Sequence, residues 1–432
     1  MAIPDGLKAP LHPAPAGPLS SFRLRDFRLL WVASLCFSAG MWIQQVAVGW
    51  LVVEMTDSAL ALAVVQAARL LPLLPFGMVA GVLADRLERR ALLVVVGAVS
   101  AAYSGLLALL ISVGGLELGH IVVLTLAFGA CRAFEWPAAQ ALVYDIVGGE
   151  DALKGISLNA TASRTMGMGA GFLGGAVIPA SGPEGSLLLM SAGYAAGCAV
   201  LLFVRPRRRE RSSVQGPPFW RSLLSGYALV RTNARMRVLL ILSVAAEMFA
   251  FSHGTLVPIF ARDVLQAGPV GLGALTSARA AGSVASALVL AQLAYFPDKM
   301  RLLLQSFALY GACLLAFALS RELGLSLLLM VGIGMAASAF DLLQQTTLQQ
   351  SVADEDRGRA MGYWVASLGF GPLGHLELGS LAVLLGAPVA LGINSIVAIA
   401  VVLVVAGWHS RAAALDPAAG ISRGTPDPPK PG

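Results

Sequence analysis

Charge is what this sequence has least of. Only 12% of its 432 residues are Asp, Glu, Lys or Arg, where a soluble domain carries roughly 25%. With 57% hydrophobic residues, a chain of this length has the composition of a polytopic membrane protein. Cysteine is scarce as well. Cys36, Cys131, Cys198 and Cys313 lie far apart in apolar runs, with no CxxC or Cys/His spacing, so they read as packing residues and no metal site is expected. No cleavable signal peptide is expected either: the opening MAIPDGLKAPLHPAPAGPLS is polar and proline-rich and has no short apolar core, so the first span itself is expected to direct insertion. The net charge of +6 comes from short basic clusters between apolar runs. It forms no stripe beside stacking aromatics, and nucleic acid is not an expected partner. No nucleophile–base grouping or phosphate-binding loop is present, so neither an enzyme nor a cofactor is expected.

What the chain does have is long apolar runs. A membrane-spanning helix needs about 20 mostly apolar residues, and twelve such runs fall at approximately 28–53, 59–84, 91–113, 118–143, 157–179, 185–204, 237–261, 269–294, 301–320, 323–347, 359–385 and 388–407. They are too long and too uniformly apolar for barrel strands, which alternate over about ten residues. The expected fold is therefore all-α and polytopic. Internal Gly and Pro do not disqualify these runs, because membrane helices tolerate both.

Arginine sets the expected orientation. Lys8, Arg23, Arg25 and Arg28 precede the first span, Arg86, Arg89 and Arg90 follow the second, and a dense basic segment separates the sixth from the seventh. The other side shows only Arg262 and Arg321, each beside an acid. By the positive-inside rule both termini are cytoplasmic. The expected organisation is a tail at 1–26, six spans over 27–204, a cytoplasmic linker at 205–236, six spans over 237–407 and a tail at 408–432. The RPRRRER run at 205–211 reads as a topology determinant near anionic lipid.

The two sets of six spans resemble each other. QALVYDIVGGEDALKG at 140–155 aligns with QTTLQQSVADEDRGRA at 345–360, placing Gln140 on Gln345 and Glu150-Asp151 on Glu355-Asp356. Two repeated halves are how rocking transporters are built. AARLLP at 67–72 falls near SARAAG at 277–282, so Arg69, isolated in the second span, has a counterpart in Arg279. Neither observation makes Arg69 a substrate ligand.

GVLADRLERRALL at 81–93 closes the second span with a small residue, an acid and three arginines. It resembles the 2–3 loop signature of the major facilitator superfamily, which implies a gating role for Gly81, Asp85, Arg86, Arg89 and Arg90, with Asp85 as gate acid. Glu88 stands where that family usually has glycine. The counterpart QLAYFPDKMRLL at 292–303 keeps Asp298, Lys299 and Arg301 but not the glycine pattern. The stretches at 41–75, 135–164 and 353–374 are similar to the enterobactin-exporter-like branch, also called transmembrane secretion effectors, over most of residues 22–407. In that branch, which includes siderophore and macrolide exporters, an arginine at the Arg69 position is ordinary. Gly167, Gly171, Gly174 and Gly175 in the fifth span are similar to the superfamily's exporter-associated glycine motif, with Met168 in place of its proline. Their simpler reading is close helix packing.

Ionisable residues inside a membrane are costly and face a partner or a watery cavity. Arg132 and Glu135, three apart, share a helix face and can pair. The resemblance implies that spans one, four, seven and ten line a central cavity, which makes Glu135, Asp341 and Glu247 the candidate cavity acids. Glu247, about nine residues into its span with no adjacent basic residue, is the leading candidate for a transport proton. A static ion pair or backbone contact is the alternative for each. His375 and Glu377 depart from the branch, where small apolar residues are usual, and either tune coupling or form a private pair. Spans two and eleven are implied to face each other, so Arg69, Arg279 and Glu377 are the candidate gate between halves, with an Arg69–Glu377 contact expected. Trp42, Trp50, Trp136 and Trp364 read as packing or interfacial anchors more readily than as ligand contacts.

The resulting expectation is a secondary active transporter in a bacterial inner membrane. It would act as a monomer without cofactor, exporting a small amphipathic molecule by proton antiport. Proton-coupled uptake, and lipid translocation or a non-transporting receptor on the same fold, are the alternatives.

Overall fold

The computed structural model describes residues 20–76, 87–148, 151–205, 229–292, 298–353 and 356–415. Among them, eleven helices are long and apolar enough to cross a membrane. One of these, Lys154–Leu201, is two spans. Inside it Ser181 and Gly182 leave helical geometry, Gly182 at φ 68°, and Ser186 Oγ donates to the Gly174 carbonyl at 2.6 Å. Residues twelve apart on a straight helix stand about 18 Å apart, so the chain reverses here and the eleven helices make twelve passes. Pro179 and Pro183 flank the reversal, where the missing N–H and fixed φ of proline favour it.

The passes otherwise follow the apolar runs. The first is Arg25–Thr56. Asp57 ends it in the left-handed region at φ 50°, and Ser58 starts the second by accepting from the Ala61 N–H at 3.3 Å. The seventh begins at Ala234, capped by Asn233, so the last residues of the expected linker are already helix. The remainder of that linker, including the RPRRRER run, lies mostly outside the described residues. Asp298, the relic of a gate motif in sequence terms, caps the ninth span by accepting from the Arg301 N–H at 3.0 Å.

The buried side chains form two clusters. One is built from residues of the first six spans, among them Phe37, Leu107, Phe128 and Tyr194. The other is built mainly from the last six, among them Phe260, Phe307, Tyr310 and Phe340. Each half thus has its own core, and the interface between halves is lined differently. There the helices approach through small residues: Gly175 faces the Pro269 carbonyl and Gly273, Gly49 faces Pro258, and Gly379 faces Ala63 and the Ala59 carbonyl. Without a hydrophobic force to draw helices together in lipid, close backbone approach supplies the packing.

The sequence repeat recurs as packing. Gly129 in the fourth span presses on the Arg69 carbonyl, and Gly334 in the tenth presses on the Arg279 carbonyl. Gly129 and Gly334 are 205 residues apart, the spacing of the repeat itself. Even a methyl at either position would strike backbone, which cannot move aside as a flexible side chain could. Gly129→Val and Gly334→Val are each expected to destabilise the protein by about 1–3 kcal/mol or more, seen as lower melting temperatures in detergent. Gly358→Ala, where a Cβ meets open space, should be neutral or stabilising by up to about 1 kcal/mol.

Candidate functional site

The seventh span is not one helix. Regular geometry ends at Phe249. A 3-10 turn follows over Phe251–Thr255, then a short α turn and a π-type turn over Phe260–Val264. Pro258 accounts for the interruption, since it has no N–H and its ring excludes the carbonyl four residues back. In lipid a broken helix survives only where protein covers the freed backbone groups. Here side chains of the span itself and of two other spans surround the break. Ser252 Oγ donates to the Met248 carbonyl at 2.7 Å. His253 Nδ1 lies 2.8 Å from the Ala250 carbonyl and 3.1 Å from the Tyr310 hydroxyl of the ninth span. Thr255 Oγ1 meets His375 Nδ1 of the eleventh span at 2.6 Å.

Against this break lies a small recess between the halves, with room for about one water, lined by Gln45, His253, Gly254, Thr276, Arg279 and Met330 among others. A second, equally small, sits beside it against Gln44, Gln45, Val48 and Gln66. Arg279 reaches across from the eighth span. Its Nη2 donates to Gln45 Oε1 at 3.2 Å, and its guanidinium lies 5.3 Å from the centre of the Trp42 ring, a cation–π geometry. Trp42 is therefore more than an interfacial anchor; its indole N–H is held by the Ser163 carbonyl at 3.2 Å. Arg69 lies within electrostatic reach of Arg132 and Arg279. Its Nε is buried without a hydrogen-bond partner among the described residues.

The acids differ in their partners. Arg132 and Glu135 form an ion pair three residues apart, and Arg132 Nη2 also approaches Met41 Sδ at 3.1 Å. Glu247 occupies the last turn of helix before the break, where a Cβ on Gly371 would stand 3.1 Å from its carboxylate. It makes no ion pair with a described residue and lies within electrostatic reach of Asp341. Asp341 accepts from Gln345 Nε2 at 3.0 Å and feels Arg164 from the opposite half.

The expected Arg69–Glu377 contact does not form. Spans two and eleven do face each other, through Gly379 against Ala63 and Gly369 against Leu74. His375 and Gly379, four apart, share the buried face; Glu377, two residues from each, points round the other side of the helix. There it accepts from Asn394 Nδ2 of the twelfth span at 2.9 Å. His375 and Glu377 are not a private pair either, because each has a different partner. What joins the halves at this end is a pair that sequence reasoning did not bring together. Arg262, at the end of the seventh span, bonds the Asp57 carboxylate, the Val53 carbonyl at 2.8 Å and its neighbour Asp263 at 2.6 Å. The only signal in the sequence was that Arg262 stood nearly alone on its side.

The glycine motif divides its work by helix face. Gly167 and Gly174, seven apart, meet Trp42 and Ile43 of the first span, whereas Gly171 and Gly175, four apart, meet Thr276, Gly273 and the Pro269 carbonyl of the eighth. Of the 2–3 signature, Gly81, Asp85 and Arg86 lie outside the described residues. Arg89 pairs with Asp145 at 2.5 Å and donates to the Ala141 carbonyl at 3.1 Å. Arg90 donates to the Val204 carbonyl at 2.9 Å. These two arginines tie the start of the third span to the ends of the fourth and sixth.

Two six-span halves meeting at a broken helix define the class: a membrane transporter of the major facilitator type. The fold superposes on the nucleoside transporter NupG with a TM-score of 0.73 at 13% identity, covering 88% of this chain and 98% of that one. It also superposes on a bacterial homologue of the human lysosomal transporter Spinster in an inward-facing, unoccupied conformation, with a TM-score of 0.66 at 13% identity over 88% and 94% of the two chains. The family profile described as transmembrane secretion effector matches residues 16–428, and the chain belongs to that family. It is similar to the staphyloferrin A transporter of Staphylococcus aureus, 22% identical over 348 residues, 80% of this chain and 86% of that protein. It is also similar to the multidrug efflux pump Tap of Mycolicibacterium fortuitum, 25% identical over 372 residues, 82% and 88% of the two. The protein is a polytopic membrane transporter and not an enzyme.

The Arg262–Asp57 bond makes a checkable statement about the end of the molecule it closes. Spin labels at Glu54 and Gln266 are expected to show a longer and broader distance distribution in Arg262→Gln than in wild type. An unchanged distribution would mean that the glycine contacts between spans five and eight hold that end shut by themselves.

Proposed function

We propose that this transporter exports small amphipathic molecules in exchange for protons, with the arginine-rich end and both termini in the cytoplasm. It acts as a monomer of two halves rocking about the recess at the broken seventh span and needs no cofactor. The observation that carries this reading is the placement of Glu247. It stands in the last helical turn before the break, beside Gly371 of the eleventh span, with no cation paired to it among the described residues. A carboxylate there also faces the negative end of the helix that carries it. Binding and release of a proton at such a group changes the charge at the one point where the span can flex. The arginines Arg89 and Arg90 support the orientation, and the export direction is supported by the similarity to a multidrug efflux pump. Substrate and protons would take turns at the site, as alternating access requires.

The test uses everted vesicles energised to an acid interior, with a panel of amphipathic compounds supplied outside. Wild type is expected to accumulate one or more of them and to lose accumulation when the proton gradient is collapsed. Glu247→Gln should lower proton-driven accumulation by about a hundredfold or more while substrate binding stays within about threefold, since removing a coupling group abolishes the driven step and not the contact with cargo. Undiminished proton-driven accumulation in Glu247→Gln would move coupling to Asp341 or Glu135. Movement in the opposite direction would favour uptake.

A further inference from the structure

The broken seventh span leaves a ring nitrogen without a partner. His253 is 2% exposed, and its two nitrogens sit in different surroundings. Nδ1 lies 2.8 Å from the Ala250 carbonyl. A carbonyl only accepts, so the ring proton is assigned to Nδ1. The Tyr310 hydroxyl, at 3.1 Å, shares that N–H. Nε2 is then a bare lone pair that can only accept, and it has no hydrogen-bond partner among the described residues. A buried acceptor left in that condition costs its full desolvation, and native proteins seldom leave one.

The recess against the break supplies what Nε2 lacks. His253 lines it together with Gln45, Gly254, Thr276 and Arg279, and it has room for about one water. Its walls carry both kinds of polar group. Arg279 spends one N–H on Gln45 Oε1, which leaves others to donate. The Gln45 amide nitrogen lies on the Gly254 side, 3.9 Å from where a Cβ on that glycine would stand. Thr276 Oγ1 donates its hydrogen to the Leu272 carbonyl at 2.9 Å, so toward the recess it can only accept. An apolar hole of this size stays dry, whereas one walled by donors and acceptors holds a water.

We propose that this recess binds a single water, which donates to His253 Nε2 and Thr276 Oγ1 and accepts from Arg279 or the Gln45 amide. Gln45 comes from the first half and the other three from the second, so the water joins the halves at the break. A small anion fits the same walls poorly, because His253 Nε2 and Thr276 Oγ1 both present lone pairs to it. The water also allows the halves to part without stranding His253. Once Gln45 withdraws, solvent takes over the same hydrogen bond, where a protein donor at Nε2 would have to be broken away. That consequence rests on the transporter reading; the water site itself does not.

The test uses the full chain, isotope-labelled at histidine nitrogen, in sedimented phosphatidylcholine nanodiscs. Solid-state NMR follows magnetisation passing from water protons to the ring nitrogens, and the His253 signals are those lost in His253→Gln. Wild type is expected to show a protonated Nδ1 and an unprotonated Nε2 that receives magnetisation from water. Gly254→Ala adds a methyl whose nearest described neighbour is Gln45 Nε2 at 3.9 Å, so it occupies the recess without a clash. It should cut the transfer to Nε2 by about tenfold or more and leave the Nδ1–H signal in place. Thr276→Val, nearly the same shape, removes one acceptor and should lower the transfer by about twofold or more. Either variant is decisive alone if the other fails to fold. A proton on Nε2, no transfer to Nε2 in wild type, or transfer unchanged in either variant would overturn the water site. Transfer that appears only when chloride is replaced by gluconate would assign the recess to the halide and overturn it equally.

Discussion

Everything at the centre of this molecule depends on two places where a helix backbone is pressed against a glycine. Gly129 against the Arg69 carbonyl and Gly334 against the Arg279 carbonyl bring spans two and four, and spans eight and ten, to backbone distance. In water such contacts would be incidental to a hydrophobic core. In lipid, where tails are as apolar as leucine, close van der Waals approach is the main source of helix association. The same contacts fix where two arginines enter the interface. A charge that the bilayer would otherwise reject is thus held at a set place by the very packing that stabilises each half.

The halves are alike in that packing and unlike in what they do with it. The first-half cation Arg132 has its own acid, Glu135. In the second half the corresponding region holds Asp341 with a glutamine for company and Glu247 with no ion-pair partner among the described residues. The second half also carries the broken span, whose His253 and Thr255 side chains are bonded by Tyr310 and His375 of neighbouring spans. A symmetric frame therefore carries an asymmetric interior, and the asymmetry lies where the halves meet.

Much of this was legible beforehand. The twelve passes were legible because the bilayer demands about 20 apolar residues per crossing whatever the neighbours are. The Arg132–Glu135 pairing was legible because a spacing of three on a helix is itself a distance. The break in the seventh span was not, since FSHGTLVPIF is as apolar as a continuous helix, and proline in a membrane span is compatible with either. Nor could the partner of Glu377 be read. Adjacent positions on a helix differ by about 100°, and which face meets the next span is decided by packing along the whole of it.

Sequence by itself determined that the chain is a twelve-pass, two-half membrane protein with an internal repeat and arginines paired across it. Those properties are set by local length, local charge and local spacing. Only the tertiary structure decided which charges are balanced. It joined Arg262 to Asp57 across 205 residues, turned Glu377 from Arg69 to Asn394, and set Arg279 against Gln45 and Trp42 with no ion pair among the described residues. The energy of a charge in the membrane depends on the few ångströms around it, and those few ångströms are filled by residues far apart in the chain.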